Sequence, residues 1–339
     1  MGTKLTIPEM KHIALYAAVV AGASLPLLGT TAEREGVQSQ SAVLLRVGTY
    51  NIRNGYSDRD TPNDWNARKD DVVALIRKMD LDVFGLQEVQ PHQAEFMRQS
   101  LPDYAMIGDF RGSTRKTGEA SPVFYRKNRF AAEESGTFWL SETPDEPGSK
   151  SWDTACPRIC TWVRLTDKTT GRTFCFANTH TDHRSELART EGMKLIMKRM
   201  REFAPDDMPV VFTGDHNCRE WEESAKIAAA VLRDTVHATE TPPVGPYRTY
   251  NGFKWRESPP AAEVVKRPVE KRYGRGDYIY VSDGVRVKSY VCHADTRPGT
   301  KLYPSDHFPL SATIEFNGKK KADPEPEPEP TPEPEASVS

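Results

Sequence analysis

Cysteine is scarce: five residues in 339, at Cys156, Cys160, Cys175, Cys218 and Cys292. That is too few to build a disulfide-framed fold, and their spacing matches no paired C-x-x-C zinc pattern. An oxidising compartment would permit one bridge, with Cys156 or Cys160 as candidates. Otherwise the cysteines read as structural. A surplus of positive charge is missing too. The chain carries 46 basic and 48 acidic residues. Six of the basic residues and nine of the acidic ones lie outside 43–317, which leaves 40 against 39 within it. A protein that lives on duplex nucleic acid usually shows a basic excess. No aromatic-rich basic stripe for single strands and no amphipathic membrane helix is visible. Between 43 and 317 there is no linker and no internal repeat, so one domain is expected there.

The two ends differ from this core. Lys4 and Lys11 flank the start of "IALYAAVVAGASLPLLG", an apolar run of 17 residues followed by "TTAER". A basic start, a short apolar middle and small residues before a polar stretch read as a secretory signal peptide over 1–32, cleaved after Ala32. The run also sits at the low edge of membrane-spanning length, so an uncleaved anchor is the alternative. No cysteine follows the run, and a lipid-anchored form is therefore not expected. Residues 33–42 read as a short linker. Residues 318–339 end in alternating Pro and Glu, which form neither helix nor core, and are expected to be an extended, disordered spacer.

Strand and helix patterns alternate along the core. Strand-like runs include "VLLRVGTYNI" (43–52), "DVFGLQEV" (82–89), "RTFCFANTH", "PVVFTG", "DYIYVS" and "PLSATIEF". Helices are expected over 63–79, with Trp65, Val72, Leu75, Ile76 and Met79 on one face. Others are expected from "PHQAEFMRQSL", over 185–203 with Leu187, Leu195, Ile196, Met200 and Phe203 on one side, and over 221–233. Residues 255–275, rich in charge with three prolines, read as an exposed loop. Many strands with about four helices in mixed order argue for an α/β sandwich of two face-to-face sheets with outer helices.

Polar residues gather where these strands end. Asn51 follows "TYNI", and Glu88 sits in "LQEV". Asn178, His180 and His183 lie in "NTHTDH". Asp215 and Asn217 lie in "GDHN", Asp277 opens "DYIYVS", and Asp306 and His307 precede the last strand in "YPSDHFP". Each alone has a simple structural reading as a strand end, a core histidine or a turn cap. Together and in this order they resemble the endonuclease/exonuclease/phosphatase superfamily, whose resemblance covers about 44–316. "GTFWLSETPD", "PRICTW" and "YPSDHFP" resemble a bacterial, often exported branch of it.

The resemblance implies a four-layer α/β/β/α sandwich of two mixed sheets, with its site at one edge. It implies hydrolysis of a phosphate ester by in-line attack of water. Glu88, Asn51 and Asp306 would offer hard oxygen ligands to Mg²⁺ or Mn²⁺. His307 would be the general base or the electrostatic partner of the attacking water, with Asp277 holding its imidazole. Asp215 would orient the water, Asn217 would donate to the developing phosphoryl charge, and His180 would touch a non-bridging oxygen. Arg158 in "CPRICTW" would add a phosphate contact, and His183 is left without an assigned role. His216 departs from the family's "GDFN" and is expected behind the site or facing outward. Gly276 in "GRGDYI" departs from "RIDYI". Arg111, Arg115 and Lys116 are either phosphate contacts or a solvated charge run. The expected protein is an exported, periplasmic or extracellular phosphodiesterase or phosphatase, monomeric, acting on a small, glycan-linked or lipid-linked ester. A secreted endo- or exonuclease is the alternative, and a catalytically inactive binding protein of the same fold is the second.

Overall fold

The computed structural model describes residues 44–205 and 208–316, all within one compact unit. The expected signal peptide, linker and Pro/Glu tail lie outside the described residues. Two β-α-β units form the frame. The first runs β1 (Leu44–Asn51), α1 (Trp65–Met79) and β2 (Val83–Gln87), followed by α2 (Pro91–Ser100), β3 (Tyr104–Ile107) and β4 (Val123–Arg126). A hairpin pair, β5 (Phe130–Trp139) and β6 (Ile159–Asp167), leads into the second unit: β7 (Thr173–His180), α3 (Glu186–Phe203) and β8 (Val210–Asp215). Then come α4 (Glu223–Ala229), β9 (Arg233–Asp234), α5 (Thr235–Ala238) and α6 (Ala261–Val264). The described chain ends with β10 (Asp277–Val281), β11 (Val285–Cys292) and β12 (Leu310–Phe316).

Two six-stranded mixed sheets result, ordered β11-β12-β1-β2-β4-β3 and β5-β6-β7-β8-β10-β9. Each has one parallel pair at its centre, β1 with β2 and β7 with β8, and antiparallel neighbours elsewhere. Parallel strands need a long crossover, and α1 and α3 supply it. Alternation along the strands then makes four layers. Val47, Val83, Phe176, Val211 and Ile279 meet in one core between the sheets. Phe84 and Leu86 face the opposite way, onto Val72 and Ile76 of α1. Phe212, Tyr278 and Tyr280 face Ile196 and Met200 of α3. The expected α/β/β/α sandwich is present.

Local chemistry sets the helix ends. Asp64 caps α1 by accepting from the Asn66 N–H at 2.8 Å. Ser185 caps α3 by accepting from Ala188 at 3.1 Å. Three expectations need correction. Leu187 is 51% exposed, because the buried stripe of α3 runs through Ala188, Ile196 and Met200, one residue out of step with it. The helix expected over 221–233 covers only Glu223–Ala229, since Arg233 and Asp234 leave it to pair with β10. The stretch 255–275 is not simply an exposed loop: Ala261 and Val264 plug the inter-sheet core, and Arg275 is buried. β3 was not anticipated.

One buried amide ties the sheets together just below their rim. Asn178 on β7 donates to the Leu86 carbonyl at 2.8 Å and the Pro122 carbonyl at 3.1 Å on the first sheet's side. Its oxygen accepts from Gln87 at 2.7 Å and Thr213 at 3.1 Å. Gly85 leaves the room, because a Cβ there would collide with the Asn178 amide. Asn178→Ala is expected to cost about 3 kcal/mol, or roughly 6–12 °C in Tm, by orphaning buried polar groups. Gly85→Ala is expected to destabilise alone, and less so on the Asn178→Ala background. Additive thermal shifts in this double-mutant cycle would rule out the clasp.

Candidate active site

Strand register assembles the site. His180, Asp215 and Asp277 are cross-strand neighbours on β7, β8 and β10, a row across the rim of the second sheet. Asn51 pairs with Gln87 on the first sheet, and Glu88 follows directly. Asp306 and His307 arrive on the segment before β12. Three residues turn the chain sharply at this rim with left-handed backbones: Arg53 (φ 57°), Glu88 (φ 62°) and Asn217 (φ 47°). Such conformations are costly for side-chain-bearing residues and are concentrated where a fold delivers groups to a site. Gly214, before Asp215, must be glycine, since a Cβ would strike the Thr179 carbonyl.

The resulting cleft has a volume of about 680 Å³. On one side His307 Nδ1 pairs with Asp277 Oδ2 at 2.8 Å, and its Nε2 lies 3.6 Å from Asp215 Oδ2. Asp215 Oδ2 is also 3.5 Å from His180 Nε2 and accepts from Asn51 Nδ2 at 3.0 Å. Burial alone would drive the His307 imidazole towards neutrality. The Asp277 and Asp215 carboxylates outweigh it and raise its pKa well above the ordinary histidine value. Burial, with the Asp277 charge, pushes the Asp215 carboxyl up to about 7. Asp215 can therefore take up a proton near neutral pH beside the His307 imidazole, which suits activation of a water.

Opposite lie Glu88 and Asp306. Burial would raise the Glu88 pKa, but hydrogen bonds from the Asn54 N–H at 2.9 Å and from Asn51 at 3.0 Å, with Arg53 nearby, bring it below its usual value. Burial, with the Glu88 charge, raises the Asp306 pKa. One guanidinium serves both: Arg53 Nη1 is 3.6 Å from Asp306 and 4.0 Å from Glu88. Two buried carboxylates sharing one half-exposed cation, with oxygen donors throughout, fit a hard divalent ion. Asn51 reaches Glu88 through its Nδ2, while its Oδ1 accepts from the Arg53 N–H at 3.0 Å. Asp215, Asp277 and His307 also place ligand atoms within 4.8 Å of one another. The His307–Asp277 hydrogen bond already occupies that trio.

The third wall is made of unsatisfied donors. Burial, with Arg158 and Arg111 beside it, holds His180 well below its ordinary pKa, so the ring is neutral. Its Nε2 accepts from Asn217 at 2.9 Å, which leaves the buried Nδ1 without a partner. Arg158 is 5% exposed, and its Nε and Nη1 make no hydrogen bond. Buried donors left open in a cleft call for a ligand oxygen. His183 lies here too, with Nδ1 2.9 Å from Arg158 Nη2. All nine residues singled out in the sequence, Asn51, Glu88, Arg158, His180, Asp215, Asn217, Asp277, Asp306 and His307, thus meet in one place. His216 packs behind it, stacked on Tyr278 and Tyr280. The five cysteines are all unpaired, against the bridge that export would permit. Arg111 lines the cleft, paired with Glu119 at 2.7 Å, whereas Arg115 pairs with Asp109 and Lys116 is exposed.

Sequence reasoning missed several supports. Arg53 was visible only as a charge two residues beyond Asn51. Asp182, inside "THTDH", accepts from Ala155 N, Thr154 Oγ1, Arg184 N and Ser185 N at 2.8–3.0 Å. Burial would raise its pKa, and these four bonds hold it down at about 2. Asp182 also lies 3.6 Å from Arg158 Nε. Behind Asp277, buried Arg275 bridges Glu220 and Asp234, both at 2.6 Å. Glu220, Asp234 and His237 form a second acidic cluster, but Arg272 and Arg275 already neutralise it.

Asp277→Asn is expected to lower the His307 imidazole pKa, because the anion that favours the imidazolium is gone. It should reduce kcat by roughly 10²–10⁴-fold with the fold intact. NMR titration of His307 in chelator, beside a turnover assay, reads both. An unmoved imidazole titration would show that Asp277 does not set its charge.

The sequence profile of the Endonuclease/Exonuclease/phosphatase family matches residues 48–307. The chain is 34% identical to a solved endonuclease/exonuclease/phosphatase family protein from Bacteroides thetaiotaomicron, with a TM-score of 0.72 over 81% of this chain and 98% of that one. It is also 34% identical to a mannosyl-6-phosphatase from Bacteroides thetaiotaomicron, with a TM-score of 0.72 over 80% of this chain and 100% of that one. A curated but uncharacterized protein of Acanthamoeba polyphaga mimivirus is 25% identical over 182 residues, 48% of this chain. The match spans about a quarter of that relative's length, 26%.

Proposed function

The chain belongs to the endonuclease/exonuclease/phosphatase family, and from that premise we propose that it is a divalent-metal-dependent phosphomonoesterase. The observation that carries this reading is the apposition of two half-sites. His307, held by Asp277 and set beside Asp215, faces Glu88 and Asp306 across one cleft. Family members are hydrolases of phosphate esters, and the geometry supports the same reaction type here.

Glu88 and Asp306, with Asn51 alongside, would hold Mg²⁺ or Mn²⁺. The bound ion would polarise a phosphoryl oxygen and stabilise the leaving oxygen. A water between His307 Nε2 and Asp215 Oδ2 gives its proton to that pair as its oxygen attacks phosphorus. The ester P–O bond breaks on the far side, and the alkoxide takes a proton from solvent. His180 Nδ1, Arg158 and Asn217 donate to the non-bridging oxygens as charge builds there. Arg53, Arg111 and Arg158 converge on this end of the cleft. Three guanidiniums suit a terminal, dianionic phosphoryl group better than a singly charged diester. The 34% identity to a mannosyl-6-phosphatase supports a monoester on a sugar. The near balance of 40 basic against 39 acidic residues over 43–317 gives a nuclease no matching support.

The assay is release of p-nitrophenol from the monoester and from the bis-ester, with Mg²⁺, Mn²⁺ or chelator. Turnover is expected on the monoester, lost in chelator and in His307→Ala. Calorimetry is expected to show Mn²⁺ binding that Glu88→Gln weakens at least tenfold. Preference for the bis-ester, or cleavage of plasmid DNA at comparable efficiency, would overturn the monoester reading.

Export is part of the proposal and rests on Lys4, Lys11 and the apolar run to Ala32. Secretion from a bacterial host should yield a mature protein beginning at Glu33. Recovery in the cytoplasm with an intact N-terminus would refute it. Among the described residues no helix is long and apolar enough to cross a membrane.

A further inference from the structure

Strand pairing does not by itself set the spacing of the carboxylates that would hold a cation. Asn51 is fixed against Gln87 by the β1–β2 ladder, and Glu88 follows directly. Asp306 has no such hold. The ladder between β1 and β12 ends at Thr49 and Leu310, so the segments on either side of the gap leave it before Asn51 and Asp306 are reached.

A buried guanidinium joins those two segments. Arg68 on α1 is 0% exposed. Its Nη1 donates to the Ile52 carbonyl at 2.5 Å and to the Pro304 carbonyl at 3.1 Å. Its Nη2 donates to the Arg53 carbonyl at 2.8 Å, and its Nε to the Asn63 carbonyl at 2.9 Å. Four of its five N–H groups are therefore taken by backbone oxygens from three loops. Among the described residues none of its hydrogen bonds goes to a carboxylate. The Trp65 and Phe253 rings cover the cation at 5.1 and 5.6 Å. A charge buried without an acid beside it is costly, and an apolar side chain would fill the space at less cost. What an apolar side chain cannot do is fasten three loops with a rigid fork of donors.

Other bonds converge on the same junction. Ser305 Oγ donates to the Asn51 carbonyl at 2.7 Å, and Gln93 Nε2 to the Arg53 carbonyl at 2.9 Å. From the opposite side the Asn251 and Gly252 N–H groups donate to the Asp306 carbonyl at 2.7 and 3.0 Å. The 304–306 segment is thus gripped between the rim of the first sheet and the turn at 251–252. The Asn54 N–H, one residue beyond Arg53, donates to Glu88 at 2.9 Å, so the loop that Arg68 holds also holds Glu88. Burial raises the Asp306 pKa, and the Arg68 charge, with those of His307 and Arg53, works against it.

We infer that Arg68 is a positioning residue for the cation site. By tying the Ile52 and Arg53 carbonyls to the Pro304 carbonyl, it sets the gap between Asp306 and Glu88, and through that gap the affinity for the ion. The inference rests on the reading of Glu88 and Asp306 as cation ligands and deepens it, from the groups that bind to the group that spaces them.

The test is calorimetric titration of Mn²⁺ into the full-length protein and into Arg68→Lys, Arg68→Gln, Ser305→Ala and Ile76→Val. Arg68→Lys keeps a cationic side chain but loses the fork. Ile76→Val loosens the packing of the same helix without touching these loops. Both Arg68 variants are expected to bind Mn²⁺ about tenfold or more weakly than the native protein. Ser305→Ala, which removes the parallel link, is expected to lose about fivefold. Ile76→Val is expected to lower Tm and leave the affinity unchanged. Native affinity in Arg68→Lys, or a comparable loss in Ile76→Val, would overturn the inference. Ser305→Ala carries the comparison should the Arg68 variants not fold, and unchanged affinity there counts against it equally. If the native protein binds no Mn²⁺, the metal reading fails separately. Amide hydrogen exchange in the metal-free protein then decides: exchange over 51–54 and 305–307 about tenfold faster in Arg68→Lys or Ser305→Ala, with α3 unaffected, would support the fastening, and unchanged exchange would end it.

Discussion

The amide of Asn178 holds the two sheets at a fixed distance, and the site depends on that distance. Asn51 and Glu88 belong to the first sheet's rim, while His180, Asp215 and Asp277 belong to the second. Hydrophobic packing alone is non-directional and would let the sheets slide by fractions of an ångström. A buried amide with two donors and an acceptor, each matched across the interface, does not. The clasp lies two residues below the His180–Asp215 row, so an error there would be carried directly into the gap between the two sheet rims. Gly85 is the geometric condition for it, and Gln87 and Thr213 complete it from either side.

Above the clasp, buried charge falls into two kinds. Some is neutralised and serves as scaffolding. Arg275 satisfies Glu220 and Asp234, which fixes the chain ahead of Asp277. Asp182 gathers four donors and orders both the 152–158 segment and the start of α3. The rest is left in surplus. Among the described residues, Glu88, Asp215, Asp277 and Asp306 have only Arg53 and the raised-pKa His307 as cationic partners within 4.0 Å. Clustered carboxylates in that proportion are unfavourable for the protein alone, and the raised Asp215 pKa of about 7 reflects it. The same surplus is what a divalent cation and a water losing its proton would relieve.

Eight of the nine site residues stood out in the sequence as polar side chains at or near strand ends, and it was their order, with Arg158 in "CPRICTW", that resembled a known family. The four layers were legible because apolar alternation and helical spacing are local too. Residues whose meaning depends on a distant partner were not. Asn178 looked like one more strand-end polar group, although its partners are 35 to 92 residues away. Arg53 and Asp182 each looked like a loop charge. Leu187 fits a helical stripe on paper, and only the position of the second sheet decides which stripe is buried. The stretch 255–275 looked solvent-exposed by composition, yet two small apolar residues within it close the core. The charge of Arg275 is stabilised by Glu220, 55 residues earlier.

On the proposed reading, reaction and recognition would be carried by different parts of the chain. Asn51, Glu88, His180 and Asp215 stand at the ends of the β-α-β units, whose register is fixed by hydrogen-bonded strands and by the Asn178 clasp, and Asp277, Asp306 and His307 join them from β10 and the segment before β12. The cleft wall of Tyr250, Arg248 and Tyr273 comes from connections outside those units, fastened to them only through Thr249 and its neighbours. Side chains on such connections can be exchanged without moving His307 or Glu88, so one core can serve many phosphate esters. The fastening still matters. Because Thr249 bonds to both the Asp277 and the Phe308 backbone, a ligand that presses on the wall also presses on the His307–Asp277 pair. On the proposed phosphatase reading, a substrate held in the cleft would thus be mechanically close to the chemistry, and binding energy would be available to align the phosphoryl group rather than only to retain the substrate.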